Sequence, residues 1–511
     1  MPVTMRVSPW FALGVAAVAA VLTGGNWNVP VAAWFGPALL LYFTRSRPAA
    51  AGYVATAAVL AFVAFFAWRG QVPVSLPVYL GFAIAVGASS AAPYLADRLL
   101  GPRVGGFVAT LVFPLAMTAT ELAVAAISPY GVWGSLAHTQ FGNLPLMQSA
   151  SVIGTWGVTF LICWFNSTLA WAWRLGFSPE RAGKGALICL AVLTAVFAAG
   201  AARLALTVHG PGAVRIASIT EPDGPAGRSP AVEAFERITK EKALAGPELE
   251  SLRRKLAGLM DTLFSLTLRE ARAGARIVTW SEGAGWVLKE DEPALLRRAA
   301  AVAKAGGIYL AMPLVTVHPR VRRFENKVVL FTPQGGLAWQ HHKARPVPGL
   351  EAPYTLPGDS TPKYLDTPYG RIAALICFDA DFPEVAHKLG RAGVDILLLP
   401  SSDWREIVPL HSQIAVFRGL ENGFSIVRQA REGLSLATDP YGRVLAAMDH
   451  FTTKDRALVA YVPTRGVRTV YARISPGAWP WLTAAAFLGL GGLAWRRSRP
   501  GSNSETADER R

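Results

Sequence analysis

Apolar residues in this chain crowd into the first 206 positions and one short stretch near the end. Seven apolar segments, at about 9–23, 30–43, 52–68, 74–96, 104–126, 150–173 and 185–206, precede a block of ordinary globular composition. An eighth covers about 478–495. A helix needs about 20 consecutive apolar residues to cross a ~30 Å hydrocarbon core, and most of these runs approach that length. The first two are short, which predicts a tight hairpin or little tilt. Of the 511 residues, 52% are apolar and only 16% charged, against about 25% charged in a soluble domain. The pattern predicts three parts: 1–206, a seven-helix transmembrane domain; 207–470, a globular domain able to bury its own core; and 471–511, a last transmembrane helix with a polar tail. The tail, 500–511, has a composition that disfavours order.

A formal net charge of +16 invites a nucleic-acid partner, but the distribution of charge argues against one. The basic residues sit in short loops between apolar runs and lack the aromatic interleaving of a single-strand binder. Arg45 and Arg47 follow the second segment, Arg98 and Arg103 the fourth, Arg174, Arg181 and Lys184 the sixth, and Arg496, Arg497 and Arg499 the eighth, while Arg6 precedes the first. The loops after the first, third and fifth hold only Arg69. Basic loops stay cytoplasmic, so both termini are expected inside and 207–470 on the extracytoplasmic face. Residues 1–23 read as a retained helix, because more apolar sequence follows them in place of a cleavage site and a polar mature start.

Within 207–470 short strands alternate with amphipathic helices. Strands are expected at 212–220, 275–280, 308–317, 327–331, 371–377, 395–399, 425–428 and 434–438, and helices at 249–272, 292–305, 381–392 and 410–422. Turns follow at Thr332-Pro-Gln-Gly-Gly336 and Asp439-Pro-Tyr-Gly442. The class is α/β, with strands buried between helical layers.

Three strand ends deliver reactive side chains. Glu282 follows IVTW-Ser281, Lys343 follows LAWQHH, and Cys377 follows IAALI. The chain has three cysteines; Cys163 and Cys189 lie in apolar runs and read as small buried hydrophobes, which leaves Cys377 without a partner in its own domain. A thiol is mostly protonated near neutrality and needs a base to become a nucleophile. A carboxylate can take that proton, and a lysine can stabilise an oxyanion. Singly, each residue is more often packing or solvated surface. His341, His342 and His411 lack the ligand spacing of a zinc centre and read as satisfied polar residues, so neither a metal nor another cofactor is expected.

Glu, Lys and Cys in this order resemble the nitrilase superfamily of carbon–nitrogen hydrolases. The segments that carry the likeness are W280-S-E-G283, H342-K-A-R-P-V-P-G-L-E351, I376-C-F-D-A-D-F-P-E384, L398-L-L-P-S-S-D-W404 and R418-G-L-E-N422, within about 212–465. Eight membrane helices, seven before the domain and one after it, are similar to one branch, the apolipoprotein N-acyltransferases. L136-A-H-T-Q-F-G-N-L-P-L-M-Q148, G154-T-W-G-V-T-F-L161 and Asn166 look like that branch, and Glu121 matches a family glutamate whose role, functional or structural, stays open. The flanks depart from the family at Ala217-Ser-Ile-Thr220, Phe378, Asp379 and Pro348-Gly-Leu-Glu-Ala-Pro-Tyr354.

The resemblance implies an eight-helix transmembrane bundle and a nitrilase-like α-β-β-α sandwich inserted before the last helix. It further implies a bacterial inner-membrane, monomeric N-acyltransferase with no cofactor, whose partners are a phospholipid acyl donor and a diacylated apolipoprotein acceptor. Glu282, Lys343 and Cys377 would be catalytic, with Glu351 and Phe378 supporting. The alternatives are a membrane-tethered amidase, an acyltransferase for another amine, or a non-enzymatic scaffold. A transferase must keep water from its thioester; Trp286, Val287, Leu288, Leu350, Tyr354 and Trp404 are candidate loop residues for that task.

Overall fold

Each of the eight apolar runs is helical in the computed structural model, which describes residues 7–25, 27–207, 212–222, 233–236, 246–318, 323–454, 456–474 and 476–498. The polar tail expected at 500–511 lies outside them. The chain divides into one unit of Met1–Ala205 with Ile474–Arg511 and another of Leu206–Arg473.

In the first unit, five helices among the described residues are long and apolar enough to cross a membrane: Ala49–Ala67, Leu76–Val104, Phe107–Ile127, Ala150–Arg174 and Pro179–Ala205. Pro9–Leu22 and Pro30–Arg45 are shorter, at 14 and 16 residues, as their sequence length predicts. The last helix, Ala478–Ser498, has 21 residues but ends in Arg496 and Arg497, and does not reach the same apolar level.

Polar side chains in this unit repair backbone breaks that a bilayer cannot hydrate. Pro37 lies inside Pro30–Arg45 and deprives Ala33, four residues earlier, of its helical donor. Asn166 Nδ2 donates to that Ala33 oxygen at 3.0 Å, and its Oδ1 accepts from Ala38 N at 2.9 Å. Neighbouring helices re-satisfy a proline break in this way. Glu121 accepts from Leu136 N (2.9 Å), Ser135 Oγ (3.0 Å) and Thr159 Oγ1 (2.9 Å), so it ties the 135–136 loop to Ala150–Arg174.

The second unit holds two large sheets and, among the described residues, a two-stranded one that pairs Ser401–Ser402 with Ala430–Arg431. Strands β1 (Ala213–Ile219), β2 (Ile277–Trp280), β3 (Gly285–Leu288), β4 (Tyr309–His318), β5 (Arg323–Phe331), β6 (Leu337–His342) and the later Ala457–Pro463 form the first. Its order is Ala457–Pro463, β1, β2, β4, β5, β6, with β3 pairing further along β4. The second runs β12 (Val444–Asp449), β11 (Leu434–Thr438), β10 (Ser425–Arg428), β9 (Ile396–Leu398), β8 (Gly370–Ala374), β7 (Tyr364–Thr367). Both have a parallel centre and antiparallel edges.

Central strands such as β2, β9 and β10 are buried on both faces, as continuous apolar runs require. Helices Gly246–Arg272 and Glu292–Gly306 pack on the first sheet, and Leu410–Asn422 packs on the second beside Pro383–Ala392. This is the nitrilase-like α/β architecture.

The placement of Trp286, Val287 and Leu288 in a water-excluding loop is wrong. They form β3, pair with Val315, Thr316 and Val317, and are buried beneath Gly246–Arg272. Three successive apolar residues suit a strand covered on both faces better than a loop. Leu350 is exposed and Tyr354 and Trp404 are half-buried.

Candidate active site

Each of the three expected residues is held where a strand runs out. Ser281 N extends the β1–β2 ladder to Ile219 O at 2.8 Å, and Gly283 turns the chain at φ +66°, which leaves Glu282 pointing inward. Lys343 N bonds Asn326 O at 2.8 Å and so continues the β5–β6 pairing one step beyond His342. Cys377 N bonds Pro400 O at 2.9 Å, and Cys377 itself sits at φ +49°. A non-glycine residue holds that conformation only when its surroundings over-determine it, and such strain clusters at working sites.

Lys343 Nζ donates to Glu282 Oε1 at 2.8 Å and also to Glu351 Oε1. Glu282 Oε1 accepts a second bond from Asn326 Nδ2 at 2.8 Å, while Oε2 accepts from Ser402 N at 3.0 Å. The carbonyl of the same Ser402 faces Cys377 Sγ at 3.9 Å. Glu282 and Cys377 thus both contact the backbone of one residue, Ser402, through its N–H and its carbonyl. Glu351 is oriented by Val347 N at 2.9 Å. Phe378 is buried and stacks edge-on against Phe382, centroids 5.3 Å apart.

Electrostatics follow from this burial. Loss of water, then the Glu282 carboxylate, pushes the Cys377 thiol well above its usual range, which Lys343 only partly offsets. A resting thiol of that kind needs a base beside it. Burial alone would favour neutral Lys343, but Glu282, Glu351 and Cys377 together hold its ammonium well above the ordinary lysine range. Burial raises Glu351 despite Lys343. The arrangement is therefore a protonated lysine between two carboxyl groups, one of which reaches toward a protonated thiol. Such a set can move a proton off sulfur and stabilise charge on a carbonyl oxygen.

Several residues around this set carry no signal that single-sequence reading picks out. Asn326 is one. Asp379, a departure from the family pattern, is another: Oδ1 accepts from Ala344 N (3.0 Å) and Arg345 N (2.8 Å), and Oδ2 from Ile376 N (3.1 Å), with His341 Nε2 at 3.3 Å. It fastens the lysine loop to the cysteine turn. Burying a carboxylate costs several kcal/mol, and charge-assisted bonds at about 1.5–3 kcal/mol each can offset that.

Behind Cys377 lies a third group. Cys377, Asp403 and His411 bring one ligand-type atom each within 4.8 Å of one another. Such spacing could admit a cation, but both ring nitrogens of His411 already face carboxylates: Nδ1 is 2.8 Å from Asp403 Oδ1 and Nε2 is 3.2 Å from Asp381 Oδ2. Arg428 Nη2 donates to the same Asp403 oxygen at 2.7 Å. The one clue in the sequence is the arginine that ends the strand run Ser425–Arg428, since buried charges are paired.

Residues 248–475 match the carbon–nitrogen hydrolase family, and residues 13–168 match the apolipoprotein N-acyltransferase N-terminal domain. The chain is similar to an apolipoprotein N-acyltransferase of Geobacter metallireducens, 26% identical over 77% of this chain and 75% of that one. It also resembles the deaminated glutathione amidase of Rattus norvegicus, 30% identical over 30% of this chain and 54% of the amidase. Among solved structures, an amidase from Nesterenkonia sp. aligns with 18% identity and a TM-score of 0.41, over 53% of this chain and 97% of the amidase. The matching family places residues 248–475 in the nitrilase superfamily. With the second family matched across the apolar helices as well, the chain resembles the apolipoprotein N-acyltransferases in both of its units.

Proposed function

We propose that the protein transfers an acyl chain from a phospholipid to the N-terminal amine of diacylglyceryl-cysteine apolipoproteins, through a thioester on Cys377. The observation that carries this reading is the meeting of Glu282, Lys343 and Cys377 at three strand ends, in a chain whose other unit is a set of long apolar helices. Glu282 takes the Sγ proton as sulfur attacks the ester carbonyl. Lys343 and the Phe378 N–H hold the oxyanion, with Glu351 orienting Lys343. When the tetrahedral intermediate collapses, the carbon–oxygen bond breaks, and the proton passes from Glu282 to the departing alkoxide to release a lysophospholipid. The incoming amine then attacks the thioester; Glu282 accepts its proton and returns it to the sulfur as the S–C bond breaks. No cofactor enters the scheme. Anchored in a bilayer, the enzyme shares a compartment with both lipid substrates.

Transferase and hydrolase differ in what becomes of the thioester. Purified full-length protein given phospholipid alone should accumulate acyl-enzyme on Cys377 and release little free fatty acid. A diacylated lipopeptide with a free α-amine should discharge it into an N-acyl product, and blocking the amine should stop the discharge. Mass spectrometry of the Cys377 peptide and of the lipids reads both steps. Rapid fatty-acid release that ignores the lipopeptide would favour the membrane-tethered amidase.

The proposal includes an eight-helix arrangement in a bacterial inner membrane, with the catalytic unit extracytoplasmic and both termini inside. The alternation of basic loops supports it. A reporter fused after Thr207 should behave as extracytoplasmic and one fused after Ser498 as cytoplasmic. Finding both on one side would remove this topology.

A further inference from the structure

Asp381, Asp403, His411 and Arg428 form a closed cluster of two anions and two cations, each at most 5% exposed. They come from four separate segments around the sulfur. Asp381 ends the turn Cys377–Asp381, Asp403 follows the Ser402 whose carbonyl faces Sγ, His411 opens the helix Leu410–Asn422, and Arg428 closes β10. His411 is held charged to about pH 9 by Asp381 and Asp403, which outweigh its burial and Arg428. Asp403 is held ionised down to about pH 2 by Arg428 and His411 against its own desolvation. The cluster is therefore neutral as a whole. An unbalanced charge buried this close to the thiol would act on it almost unscreened.

We infer that this quartet is a positioning element for Cys377: it pins the strained turn and keeps the field at sulfur balanced, so that Glu282 and Lys343 alone decide when the thiol ionises. Four elements meet at the turn, and each contributes one charge of the quartet. The other charged groups around the site are Glu282 and Lys343, Glu351 beside Lys343, the Asp379–His341 contact at the turn, and the Arg431–Glu221 pair, whose arginine donates to Ser402 Oγ. Among the groups that act on the thiol, Asp403 raises its pKa while Arg428 lowers it. Removing one cation should leave one net negative charge beside sulfur and disfavour the thiolate.

The inference rests on Cys377 being the nucleophile, and the experiment separates the two claims. Alkylation of Cys377 by iodoacetamide is followed against pH in detergent-purified full-length protein, read on the Cys377 peptide by mass spectrometry. In His411→Gln the midpoint should rise by about one to two pH units, which slows alkylation at neutral pH by roughly ten- to a hundredfold. Arg428→Gln, which removes the other cation, should shift it in the same direction. His411→Gln combined with Asp381→Asn restores neutrality and should return the midpoint most of the way to that of the parent. A purely structural role predicts the opposite, because the double variant loses more contacts than the single one. Thermal melting of each variant identifies those that fold. Folded single variants with an unshifted midpoint, or a folded double variant no better than His411→Gln, would overturn the inference. Acyl transfer that survives Cys377→Ala would instead overturn the reading of the nucleophile and leave the measured midpoints standing.

Discussion

A Cys377→Ala protein is expected to form no acyl-enzyme and no N-acyl product, with turnover lost by a factor on the order of 10⁶, as for removal of other covalent nucleophiles. Among the described residues, Cys163 and Cys189 lie in the apolar helices Ala150–Arg174 and Pro179–Ala205, and no other thiol faces Glu282. The loss should be in chemistry and not in folding. Cys377 is held by its backbone bond to Pro400 and by the turn that Asp379 fastens, and alanine keeps both. Thermal melting close to that of the parent, together with an absent adduct at residue 377, is the expected pair of results. A folded Cys377→Ala protein that still acylated a lipopeptide would place the nucleophile elsewhere, and the nitrilase-type reading would fail.

Much of this site is legible in the sequence because strand ends are legible. IVTW and IAALI are largely apolar runs that stop abruptly, LAWQHH is a short run after a turn, and a side chain within two positions of each stop enters the site. What surrounds the three is harder to see. Asp403 pairs with Arg428, 25 positions away, and nothing in the spacing of either residue announces the other. Asp379 looks like a change in the family pattern, yet its carboxylate serves backbone N–H groups of a loop 34 and 35 positions earlier. Edge strands escape for a related reason. Val444–Asp449 is largely exposed, so its residues show no clean two-residue alternation, and Ala457–Pro463 becomes a strand only by pairing with β1, some 240 positions before it. Residues 286–288 mislead because a short apolar run after a turn is equally a buried strand or a loop that contacts lipid. In the apolar unit, hydropathy locates the eight long helices but not the short ones at Leu136–Gln140 and Leu144–Met147, and it says nothing of the Asn166 bond that makes Pro37 tolerable inside a helix.

Lys343→Met should cost at least 10²–10³ in turnover, the usual effect of losing one oxyanion donor (about 2.7–4 kcal/mol), and it should also move the pH profile. The buried ammonium contacts Glu282 and Glu351 together. Without it, two buried carboxyl groups lose their shared cation and face each other. Like charges so close cannot both ionise easily, and loss of a contacting cation raises a carboxyl pKa by about 1–3 units. Burial already raises Glu351 with the lysine present, so the remaining pair should retain a proton to still higher pH. A base that stays protonated longer as pH rises is available only at higher pH, so the acid limb of the rate profile should shift upward. The thiol moves the same way, since Lys343 lowers it more than any other neighbouring charge does. Adding Glu351→Gln to Lys343→Met removes the like-charge conflict, which should bring the acid limb back toward its original position without restoring turnover. That combination distinguishes the two duties of Lys343, because only the electrostatic one can be relieved by deleting a carboxylate. Near-normal turnover with an unmoved acid limb in the folded Lys343→Met protein would show that the lysine carries neither.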